Sequence, residues 1–194
     1  MFSRLRNFFA FAERSEAAMN APAETLYQLC LTHSRDPQLF LTGGVEDTLD
    51  GRFDSLCLSV GCVMHRLALV SDKHQQQAKQ TSQQLFDIFC SDMDLTLREM
   101  GVGDLGVSKR VKTMSEAFIG RLTAYREALT QNDKTALEDA LLRNLYRSQT
   151  PSDTQKKQAQ ILATQVLTCI GTLSKLEDGD VLSASIELPP IARQ

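Results

Sequence analysis

Gly101-Val102-Gly103-Asp104-Leu105-Gly106 carries the spacing G-x-G-x-x-G. After a β-strand that spacing would wrap a dinucleotide pyrophosphate in backbone N–H groups. Here it follows Phe86, Phe89, Met93, Leu97 and Met100, an apolar stripe at helical spacing, so the parallel-sheet setting is missing and a helix–corner–helix is the better account. Asp92 and Asp94, or Asp47, Asp50 and Asp54, could hold a hard cation through their carboxylates. Acids at capping positions or on a solvated helix face are far commoner, and that is the reading preferred for both sets. His33, His65 and His74 form no H-x-x-x-H spacing, and no Ser or Cys sits in a nucleophile elbow. The sequence therefore offers no catalytic residue, no metal ligand set and no cofactor.

One cluster goes against local helix rules. Lys109, Arg110 and Lys112 fall in the first turns of the helix after the corner, where the helix dipole disfavours cations. Either they pair with Asp92, Asp94 or Glu99 across the corner, or they form a basic lip for an acidic partner, phosphate-rich RNA or lipid headgroups. Met93, Met100 and Met114 stand nearby and suit either an adaptable apolar surface or core filling.

The elements that position these residues read as helices throughout. Pro22 and Glu24 fit a first turn, with Leu26, Leu29 and Cys30 on the buried face, and Pro37 disfavours helical geometry at Asp36. A loop with a helical turn near Gln38 to Leu41 leads past Gly43-Gly44 to the capping candidates Asp47, Thr48 and Asp50. From there Phe53, Leu56, Cys57, Val60, Val63, Met64 and Leu67 step at helical spacing. Leu58, Leu69 and Val70 widen that face and predict the most enclosed helix. Ser71-Asp72 should cap the next helix, which runs to Met100 and stops at Gly101 in a left-handed cap.

Asp104 or Ser108 should cap the following helix. It has the cleanest stripe in the chain (Val107, Val111, Met114, Phe118, Leu122, Tyr125, Leu129), and Ala117, Gly120, Ala124 and Ala128 offer close packing. Lys134 to Tyr146 is another helix after Asn132-Asp133. A last one from about Thr154 to Leu176 should bury Ile161, Ala163, Val166, Leu167 and Ile170. The expected architecture is a single all-α domain, a bundle of about six to eight helices over residues 21–176. An amphipathic segment at 1–20 precedes it and an extended tail at 177–194 follows.

Gross numbers narrow the class further. A chain of 194 residues with 42% apolar and 23% charged residues is ordinary globular material. A net charge of −3 argues against a general nucleic-acid binder, and DNA is not an expected partner. Five cysteines without a C-x-x-C fit no closed disulfide framework and point to a reducing compartment. No window is long enough to span a bilayer. At the start, Phe2, Leu5, Phe8 and Phe9 share one side of a helix while Arg4 and Arg6 are basic. That pattern suits either membrane-surface contact or core and partner packing, and it lacks the features of a secretory signal.

Three pieces together resemble the ubiquinol–cytochrome c chaperone family. They are SRDPQLF with GVEDTLDGRFDSL (Ser34 to Leu56), QQLFDIFCSDMDLTLREMGVGDLGVSKRVKTMSEAFIGRLTAY (Gln83 to Tyr125), and less sharply LYQLC (Leu26 to Cys30), within a span from Leu26 to Asn144. The family is all-helical and non-enzymatic, and its mitochondrial members help assemble respiratory complex III, binding newly made cytochrome b near the ribosome exit and the inner membrane. The resemblance implies an assembly chaperone for the cytochrome bc1 complex. Its partners would be cytochrome b or another bc1 subunit, with a small helper protein, the ribosome and a membrane surface as further partners. With no long presequence evident, it implies a bacterial member, cytoplasmic or peripheral on the inner membrane. The partner surface would draw on Asp47, Asp50, Arg52, Asp92, Asp94, Arg98, Met100, Asp104, Lys109, Arg110, Lys112, Met114 and Arg121. A membrane-surface scaffold and a ribosome or RNA adaptor are the competing readings.

Overall fold

A computed structural model describes residues 21–190. Helix α1 covers 21–34 of them, and the chain continues through α2 (Pro37–Leu41), α3 (Leu49–Ala68), a 3-10 turn (Asp72–His74), α4 (Gln75–Glu99), α5 (Asp104–Thr130), α6 (Lys134–Asn144), α7 (Asp153–Leu173) and α8 (Asp178–Leu182). No strand occurs among the described residues, and the expected all-α domain is what the chain forms. The expected contacts of Phe2, Arg4, Leu5, Arg6, Phe8 and Phe9 fall outside the described residues.

Local chemistry sets the helix ends. Thr48 caps α3 by accepting from the Gly51 N–H, Asp133 caps α6 at Ala136, and Ser152 with Gln155 forms a full capping box on α7. Gly51 is required where it stands, because a Cβ there would lie 2.0 Å from the Glu46 carbonyl oxygen. At the end of α4, Gly101 has φ +81, its N–H reaches the Arg98 carbonyl at 2.9 Å, and the Val102 N–H reaches Leu97 at 3.0 Å. This is a Schellman ending, which satisfies two orphan carbonyls and turns the chain into α5.

Two expected caps are not made. Gly103 stands at the α5 N-cap without a side-chain bond; Asp104 lies inside the first turn and pairs with Arg98, and Ser108 is a full turn too late. Ser71 precedes the 3-10 turn but gives its hydroxyl to Asp178.

The core has two connected parts. One joins α1, α3, α4 and α5 around Tyr27, Leu56, Leu85, Phe89 and Phe118; the other packs α6 and α7 against Leu58, Tyr125 and Leu129. Helix α3 serves both and is buried along most of its length, as its apolar run predicts. Four phenyl rings cross the first part. Phe53 lies 5.9 Å from Phe89, Phe89 stacks on Phe118 at 4.2 Å, and Phe118 meets Phe86 at 5.8 Å.

Several expectations of burial shift by one helical position. Leu69 is 54% exposed because α3 ends at Ala68 and the chain turns there to bury Val70 instead, and Ile161 is 57% exposed because the stripe of α7 runs through its neighbour Leu162. Gly120 faces open space and not a packed helix. The extended tail expected from 177 first makes α8, because Asp178 accepts from the Ser71 N–H and hydroxyl and from Arg66. Beyond α8 no regular element follows among the described residues, and Ile186 and Leu188 lie against both core parts.

Candidate functional site: an apolar groove with basic walls

The first turns of α3 and α5 and the last turns of α4 meet at one end of the bundle, and between them the surface stays open. Two hollows, of about 200 Å³ and 560 Å³, share Leu49, Phe53, Leu97 and Met114 as their floor and form one groove. Phe53 and Leu97 reach it from the edge of the core, while Leu49 is 47% exposed. Toward α1 the groove is walled by Arg35 and Arg52, and toward α5 by Gly106, Lys109 and Arg110. It opens beside the glycine corner, where the chain reverses.

A buried ionic node holds the floor in place. Asp54, fully buried on α3, accepts from Arg147 Nε at 2.6 Å, and Arg147 Nη1 reaches Asp50 at 2.5 Å. Arg121 Nε, from α5, lies 2.7 Å from Asp54 Oδ1 but off the line of a hydrogen bond, so this contact is Coulombic. Burial raises the Asp54 pKa and the two guanidiniums oppose that shift, while Asp54 in turn pushes Arg147 up. Two cations thus face one buried carboxylate. Arg121 also sits over the Phe53 ring at 5.1 Å, tying the node to the groove floor.

Around the groove most acids already have partners. Asp47 pairs with Arg52, which lowers the Asp47 pKa mainly through their hydrogen bond. Asp92 accepts from the Tyr27 hydroxyl at 2.7 Å, and burial followed by that bond raises the tyrosine's pKa. Arg98 bridges Asp94 and Asp104 across the corner. Lys112 reaches Glu116 at 3.9 Å. Lys109 and Arg110 have no ion pair among the described residues; of the three carboxylates expected to neutralise them, Asp92 is engaged by Tyr27 and Asp94 by Arg98, and Glu99 pairs with neither cation.

The residues singled out from sequence thus divide. Asp50, Arg52, Asp92, Lys109, Arg110, Met114 and Arg121 line the groove. Asp94, Arg98 and Asp104 brace the corner beside it, Asp47 steadies Arg52, and Met100 is 56% exposed off the lining. Sequence reading missed Arg35, Leu49 and Arg147. Arg147 follows α6 in a positive-φ conformation (φ 50), where no periodicity marks it. The signal that could have found it is Asp54, a carboxylate inside an apolar stripe that demands a cation.

Among the described residues no His, Cys, Asp or Glu group is placed to hold a metal ion, and no single helix is long and apolar enough to cross a membrane. The arrangement offers complementary binding to a segment that is apolar and carries negative charge.

A family model described as ubiquinol-cytochrome C chaperone matches residues 42–188. That span includes α7 and α8. The chain is also similar, at 29% identity and TM-score 0.78, to a crystal structure described as the Cbp3 homolog from Brucella abortus, over 95% of this chain and 97% of that one. No curated protein matches.

Proposed function

Because this chain belongs to the ubiquinol–cytochrome c chaperone family, with the role in cytochrome bc1 assembly that membership carries, we propose that it holds newly made cytochrome b through the groove between α3, α4 and α5. It does so as a non-enzymatic assembly factor on the cytoplasmic side of the membrane. The observation that carries this reading is an apolar floor of Leu49, Phe53, Leu97 and Met114 left open beside Lys109 and Arg110, two cations without an ion pair among the described residues. A nascent membrane helix is apolar and needs cover until it is inserted, and a groove between helices is an established way to give it. Methionine at the floor adapts to side chains of differing shape.

Two experiments test it. Deleting the gene lowers the cytochrome bc1 content of the membranes; equal content with and without the gene contradicts the assembly role. From solubilised membranes the protein co-purifies with cytochrome b, and Lys109→Glu with Arg110→Glu weakens that capture while leaving the fold intact. Capture that ignores the double reversal moves the client off this groove. If those two cations instead serve ribosomal RNA, the same variant releases the protein from ribosomes in a salt-sensitive way.

A further inference from the structure

A second trough lies elsewhere on the bundle and shares no lining residue with the first. Its floor is Met64, Phe86, Phe118 and Leu122, its volume is about 540 Å³, and Ile119 stands 53% exposed at its lip. The cations at its edges are Lys79 from α4 and Arg126 from α5, both exposed and neither in an ion pair among the described residues. Among the described residues no carboxylate lines it, although the chain as a whole carries a net charge of −3. The nearby Asp87 accepts from Gln83.

We propose that this trough docks an amphipathic helix of a partner protein whose apolar stripe is flanked by carboxylates. The α4 wall runs from Gln75 to Phe86, about 17 Å at the helical rise, so three turns of a guest helix fit along it. Apolar residues at i, i+3, i+4 and i+7 of the guest would cover Phe86, Phe118 and Ile119. Lys79 and Arg126 stand on different helices, so they match carboxylates along both edges of a helix better than the single charged head of an acyl chain. The site is independent of the cytochrome b reading, since none of its residues belongs to the first groove.

The test is fluorescence anisotropy on the full chain with a labelled helical peptide that has a leucine stripe and glutamates along both edges. Twin peptides carry glutamine or lysine at the edge positions. The glutamate peptide binds, weakens with salt, and loses about tenfold in affinity on Lys79→Glu with Arg126→Glu. The lysine peptide gains on the same variant. The milder Lys79→Gln and Arg126→Gln give intermediate losses, with unchanged thermal melting in all variants. Glutamate and lysine peptides binding alike, or indifference to the reversal, overturns the proposal. So does binding confined to anionic vesicles, or self-association of the chain through the trough without peptide binding.

Discussion

Asp54 on α3 and Arg121 on α5 stand with Oδ1 and Nε 2.7 Å apart, and the carboxylate is fully shielded from solvent. Arg147 approaches the same carboxylate from the chain just after α6. Three parts of the sequence are thereby fixed at one point beneath the groove floor. A charge so placed is costly to bury and costlier to leave alone.

Arg121→Met therefore leaves Asp54 with one cation where it had two, and also removes the guanidinium from the Phe53 ring. Breaking a buried pair typically costs about 3–5 kcal/mol, and chemical denaturation of Arg121→Met should show a loss of that order. Asp54→Asn should destabilise too, because it leaves two guanidiniums facing a neutral amide. A loss within the range of a surface substitution, about 0.5 kcal/mol, would show that the node does not hold the floor.

Asp178 gives the fold a defined acid limb. Bonds from the Ser71 N–H and hydroxyl, and then from Arg66, hold its carboxyl well below the usual 3.8. A depressed folded pKa contributes stability that is fully present above the unfolded value and fades as pH falls below it. Melting temperature should accordingly drop as pH is lowered from about 4 toward 2, and Asp178→Asn should flatten that part of the profile. An unchanged acid limb in the variant would assign the loss to other carboxylates.

Gly101 and Gly120 should respond to alanine in opposite directions. Neither Cβ would meet an atom within 4 Å, so packing plays no part. At Gly101, φ +81 places alanine in the left-handed region, at about 1–2 kcal/mol. At Gly120, inside α5, alanine is the better helix former by about 0.5–1 kcal/mol. Urea midpoints of the two variants read both signs directly; Gly101→Ala as stable as the parent would remove the Schellman ending from the account.

How far the sequence disclosed these features depends on their range. The Gly101 cap and the Val107–Leu129 stripe depend on residues within a few positions of one another, and both were legible. Ile161 and Leu162 are adjacent apolar residues, and periodicity alone does not say which of such a pair faces inward. The groove floor was harder. Phe53 and Leu97 read as core residues, at 7% and 4% exposure they nearly are, and their second role comes from where α3 and α5 part. Arg147 was silent because its task is set by Asp54, far away in sequence. The basic cluster at Lys109 and Arg110 was visible, but its lack of ion pairs among the described residues was not, since Tyr27 takes Asp92, Arg98 takes Asp94 and the fold leaves Glu99 out of reach of a pair.

The central claim is that the groove holds cytochrome b, and site-specific photo-crosslinking in cells assembling the cytochrome bc1 complex tests it most directly. A photoreactive residue is placed at Leu49 or Met114 on the groove floor, and in a control at Ile161, an exposed apolar position on α7. The account predicts adducts with newly made cytochrome b from the two groove positions and none from Ile161. Adducts from Ile161 alone, or equal adducts from all three, would contradict it.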